Sequence, residues 1–140
     1  MSIAGHPIHP ALVHFPIAFW TLSVVADLAA VAGFDVDPGP GYAALIAGLL
    51  MAALALFAGF MDYALIAFKP GAQRVATAHM TAMTVASTLF FASAWLRGGP
   101  VAATPGALAC SLAGGVVLVI GGWLGGTLVY RHGVGVTPMC

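Results

Sequence analysis

Apolar residues run almost without interruption through four stretches of this chain, Ala11 to Gly33, Tyr42 to Phe68, Val75 to Leu96 and Ala107 to Val129, and polar positions collect in the breaks between them. Each stretch exceeds the roughly 20 residues that carry a helix across the hydrocarbon of a bilayer. The breaks are made of turn residues: Gly33 to Gly41 holds Asp35, Asp37, Pro38 and Pro40, Lys69-Pro70-Gly71 forms a corner, and Gly98-Gly99-Pro100 with Pro105-Gly106 bounds the third. Connections this short set neighbouring helices antiparallel. The pattern predicts an all-α fold, an integral membrane antiparallel four-helix bundle in which residues 1–140 form a single four-span domain.

Composition agrees. Hydrophobic residues make up 61% of the chain and charged ones 6%, with a mean hydropathy of +1.05, so a water-soluble domain would lack the polar surface to cover itself. The start carries no basic n-region and its first apolar run is too long for a signal-peptide core, so the first helix is expected to be retained. A formal net charge of zero gives no reason to expect nucleic acid as a partner; the lipid bilayer is the expected one. Cys110 and Cys140 fall at opposite ends of the last span and cannot bond to each other within one bundle.

With four spans, both termini and the second break lie on one side, here side A, and the first and third breaks on side B. Lys69, Arg74 and Arg131 fall on side A against Arg97 alone on side B, which makes A the cytoplasmic side and the termini cytoplasmic. Asp27 lies near side B, where Arg97 is its natural partner.

Small residues mark the helix contacts. Gly48, Ala52, Ala55, Gly59 and Asp62 recur at three- and four-residue steps on the second span, and the fourth carries Gly114, Gly115, Gly121, Gly122, Gly125 and Gly126. Thr77, Thr81, Thr84 and Thr88 form a hydroxyl stripe on the third span, able to bond across helices or to its own carbonyls. Helix packing by itself accounts for these stripes, and the Gly and Ala faces would equally serve other membrane subunits or a homo-oligomer.

Against this background five histidines stand out, since His6, His9, His14, His79 and His132 should all lie near side A. In Gly5-His6-Pro7-Ile8-His9-Pro10-Ala11-Leu12-Val13-His14-Phe15-Pro16, His6 and His9 precede prolines, which pushes them out of the α region and into an extended lead-in. Pro10 suits the first helical position, and Pro16 strips Leu12 C=O of its helical donor. His14 and His79 then lie ~6 Å inside their spans, and Asp62 ~9 Å inside the same face. His79 shares its helix face with Met83, Ala86 and Phe90. The expected cofactor set is His14, His79, Asp62 and Met83; the expected metal set is His6, His9, His14 and His79.

These residues resemble a family. Gly5-His6-Pro7-Ile8-His9-Pro10, Leu12-Val13-His14-Phe15-Pro16-Ile17, Asp27-Leu28, Gly59 with Asp62-Tyr63, His79, Gly125-Gly126 with Leu128-Val129-Tyr130, and Gly133-Val134-Gly135-Val136 are similar to a bacterial family of predicted four-helix membrane proteins, the domain of unknown function 2231. The resemblance implies a four-span fold in a bacterial inner membrane and brings no activity with it.

Function must come from the residues. One reading is a membrane redox protein whose His14 and His79 hold a b-type haem between helices, or a copper or zinc ion with help from His6, His9, Met139 and Cys140. A second is an accessory or assembly subunit without chemistry of its own, its histidines bonding carbonyls that Pro10 and Pro16 set free. A small proton-linked transporter using Asp62 and His79 is a third, weakened by the lack of an evident inverted repeat. No Cys-x-x-Cys-His run offers covalent haem attachment, and no Gly-x-Ser-x-Gly, His-Glu-x-x-His or phosphate-cradling glycine loop offers an enzyme.

Overall fold

A computed structural model describes residues 2–3, 6–66 and 70–135. After a two-residue ladder between β1 (Ser2–Ile3) and β2 (His6–Pro7) come α1 (Ile8–Leu12), α2 (His14–Val31), α3 (Pro38–Ile66), α4 (Pro70–Arg97) and α5 (Pro105–Tyr130). Four helical stretches are long and apolar enough to cross a membrane: His9–Val31, Pro38–Ala64, Gly71–Arg97 and Pro105–Tyr130. The four-span expectation holds, and the second and third helices start earlier than expected, at Pro38 rather than Tyr42 and at Pro70 rather than Val75.

The earlier starts have a common cause. α3, α4 and α5 each begin on proline, whose missing N–H is one the first turn cannot use and whose fixed φ suits a helix. Asp37 accepts from Gly39 N–H at 2.9 Å ahead of α3, and Thr104 caps α5 by accepting from Ala107 N–H at 3.2 Å. At the far end of α2 the chain turns on Gly33 at φ +89°, which lets Phe34 N–H reach back to Ala29 C=O at 3.1 Å.

The amino-terminal span corrects the expected lead-in: His6 is extended in β2, but His9 is helical, in α1. Pro10 is the third residue of α1, still in the turn whose N–H groups have no helical acceptor, so it costs no bond there. Val13 N–H then bonds His9 C=O at 3.1 Å, and the ladder is interrupted at Val13, where Pro16 withholds the donor for Leu12.

The helices pack as α2 on α3, α3 on α4, α4 on α5 and α5 back on α2, so α2 and α4 stand diagonally across the bundle. Large side chains fill the centre. Trp20 and Phe90 stack there with ring centroids 4.3 Å apart, surrounded by Leu45, Ala52, Ala86 and Leu118. Outward positions are apolar too: Val119, Trp95 and Trp123 are each more than 70% exposed, which is the surface a bilayer covers. The threonine stripe faces outward as well, Thr77, Thr81, Thr84 and Thr88 each donating to the carbonyl four residues back.

Candidate functional site

At one end of the bundle the structure brings together two imidazoles, His9 from α1 and His79 from α4, with ring centroids 6.3 Å apart and planes at 82°. Each is held by the second helix of its own hairpin. His9 Nδ1 bonds Ala55 C=O at 2.9 Å, and His79 Nδ1 bonds Gly121 C=O at 2.8 Å. A carbonyl only accepts, so Nδ1 is the donor in each bond and Nε2 is the nitrogen that remains to accept or to ligate. A backbone carbonyl on one imidazole nitrogen is the support that metal-bound histidines commonly have on the nitrogen away from the metal.

Glycine makes the approach possible. One turn beyond each accepting carbonyl lies Gly59 on α3 and Gly125 on α5; a Cβ there would come within 2.9 Å of His9 Cε1 and 3.2 Å of His79 Cε1. The small-residue stripes thus contain the seats of both rings. Met83 lies over Gly121, where a Cβ would overlap its methyl group, and Ala86 and Phe90 continue the buried face above His79.

His14 is not part of this pair. It is exposed on the outside of the bundle, which corrects the expectation that it meets His79 across the interior. The reason is angular: with α1 carrying His9 inward, a residue five positions on lies roughly 140° around the helix at 3.6 residues per turn. Asp62 is half-buried on α3, one turn beyond Gly59, and Tyr63 next to it bonds Thr77 on α4 through its hydroxyl at 2.8 Å. The His132 ring lies against Gly71 at the start of α4. The side chain of His6, and all of Met139 and Cys140, lie outside the described residues.

The opposite end holds a buried ion pair. Asp27 on α2 accepts both terminal nitrogens of Arg97 on α4, Nη1 at 2.8 Å and Nη2 more closely. Ser93 and Ser111, bonded to each other at 2.8 Å, complete the shell by accepting from the guanidinium. The expected Asp27–Arg97 partnership is therefore present, while the two serines escaped notice. Ser93 lies four residues before Arg97 on the same face of a helix, which was the available signal. Two other buried polar atoms, Trp20 Nε1 and Ser23 Oγ, have no partner among the described residues.

Four apolar helices enclosing an ion pair at one end and two imidazoles at the other define a multi-pass membrane protein. The chain belongs to the family described as predicted membrane protein (DUF2231), whose model matches residues 5–138. Comparison with curated proteins and with solved structures finds no match.

Proposed function

We propose that His9 and His79 hold one cofactor between them, a b-type haem, and that the protein serves electron transfer in a bacterial inner membrane. The single observation behind this reading is the imidazole pair itself, each ring bonded through Nδ1 to a backbone carbonyl so that Nε2 stands outside that bond. The two ring centroids lie 6.3 Å apart, close enough for one bound group to be reached from both rings. The donor count favours haem over a bare ion, since among the described residues no group of three or more His, Cys, Asp or Glu side chains gathers. A structural zinc site takes four protein ligands, whereas a porphyrin would bring four nitrogens of its own and ask fewer of the chain. His9 and His79 would hold the haem, which would supply one-electron chemistry, and Gly59 and Gly125 leave room for their rings.

The site end would face the cytoplasm. Arg74 and Arg131 are exposed at that end, while Arg97 is consumed in its ion pair at the other.

A second reading has its own observation. Both imidazoles already clamp their hairpins shut, and Gly122 lies open on the outer face of α5, as expected of an accessory subunit that docks other helices. An absorption spectrum of the purified, dithionite-reduced protein, with metal analysis on the same sample, separates the two. Haem bands lost in His9→Ala and in His79→Ala but kept in His14→Ala are expected. A wild-type protein with no haem bands sinks the proposal, and stoichiometric copper in their place transfers the site to that metal.

A further inference from the structure

We infer that this chain is a tandem pair of equivalent helical hairpins, α1–α3 and α4–α5, related by a two-fold axis along the membrane normal, and that the seam between them is an interface keyed to a hairpin of opposite charge, namely the other repeat of the same chain. This is independent of what the histidines bind.

The equivalence lies in a constant register. Asp27 meets Arg97 at a separation of 70 residues. The same separation joins His9 to His79 and Trp20 to Phe90, so three contacts at three depths cross the bundle centre between like-numbered positions of parallel helices. Ser23 and Ser93, and Pro16 and Ala86, are buried at the same interval. In the second helices the interval is 66, because the connection is shorter. Gly48 and Gly114 receive Trp20 and Phe90; Ala55 and Gly121 offer their carbonyls to His9 and His79; Gly59 and Gly125 seat those rings. Even the outer surface repeats. The recess between α3 and α4 is lined by Ile46, Phe91 and Ala94, and the one between α2 and α5 by their equivalents Leu112, Thr21 and Val24.

The departures from symmetry are as informative. Arg97 stands where the first hairpin has Asp27, and Ser111 where it has Leu45. This explains why Ser23 Oγ has no hydrogen-bond partner among the described residues: its counterpart Ser93 bonds Ser111, and Leu45 has nothing to offer. It also sets partner choice. Two first hairpins would bury Asp27 against Asp27, and two second hairpins Arg97 against Arg97; only the mixed pair is neutral, and like charges in a buried seam are strongly disfavoured.

Moving the charged set from one repeat to the other tests this in the full-length protein. Exchanging the charges alone (Asp27→Arg with Arg97→Asp) brings the guanidinium to the first hairpin, beside Leu45. Adding Leu45→Ser and Ser111→Leu restores its serine shell only if the repeats are equivalent. We expect the fourfold exchange to melt well above the twofold one, and to approach the wild type. A milder exchange, Trp20→Phe with Phe90→Trp, is expected to melt within about 4 °C of wild type, a shift of order 1 kcal/mol, and above Phe90→Trp alone. A fourfold variant no more stable than the twofold one, or an aromatic exchange no better than its single overpacked member, overturns the inference.

Discussion

Trp20 and Phe90 lie face to face at the centre of the bundle, their planes 16° apart, and each occupies the space of a missing side chain on the next helix. A Cβ on Gly48 would overlap the Trp20 ring, and one on Gly114 would come within 3.1 Å of Phe90. The central stack thus depends on two glycines as much as on two aromatics. Gly48→Ala is expected to destabilise the protein by about 1–3 kcal/mol, the usual range for overpacking, and more than Gly114→Ala. Denaturation in detergent by urea checks the order, and equal effects would contradict it.

Contact distance alone misleads at Gly121. Its Cβ would meet the methyl end of Met83, which can rotate away, whereas the ring over Gly48 cannot. Gly121→Ala should therefore fall at or below the low end, about 1 kcal/mol, of the overpacking range and cost less than Gly48→Ala, although the nominal overlap is worse. The same denaturation series tests it.

Removing one partner of the buried pair leaves a charge in a dry interior. Arg97→Met is expected to cost about 3–5 kcal/mol, and Asp27→Leu added to it should recover most of that loss. A double variant as unstable as the single one would show that the serine shell, not the charge balance, sustains this end.

The histidine bonds have a structural consequence apart from any cofactor. His79→Phe removes a bond worth about 0.5–1.5 kcal/mol and leaves Gly121 C=O with its helical donor only. His14→Ala, at an exposed position, should change stability by less than about 0.5 kcal/mol. Comparable losses from both would place His14 in contacts the bundle does not contain.

Tryptophan exposure gives a direct check of the bilayer-facing surface. Trp95 and Trp123 are 77% and 79% exposed and Trp20 2%, so brominated lipids should quench the first two and spare the third. In a Trp95→Phe, Trp123→Phe variant the residual emission should be insensitive to bromination; persistent quenching would place Trp20 at the lipid surface.

Most of the fold is legible in the sequence because length and hydropathy decide it: four long apolar runs with Pro and Gly breaks leave little choice. The Asp27–Arg97 pair is legible for a related reason, since few charges exist and two fall at the same depth on the same side. Helix starts at Pro38 and Pro70 are harder to place, because proline reads as loop in a window and as a first helical residue only once a cap is seen. The histidine pairing is harder still. Which imidazole turns inward depends on where helix geometry begins, and a shift from Pro10 to Ile8 exchanges His14 for His9. The repeat is hidden because matched positions share size and burial rather than identity: Trp20 answers to Phe90, Pro16 to Ala86, Asp27 to Arg97, and the register changes by four across the connections.

Because α2 and α4 run the same way, both hairpins stand the same way up in the bilayer. Inverted repeats let a transporter present one site to either side by exchanging the roles of its halves. Exchanging these two halves returns imidazoles to the end where imidazoles were and charges to the end where charges were. The molecule is polar along the membrane normal, and its symmetry offers no route for turning that polarity around.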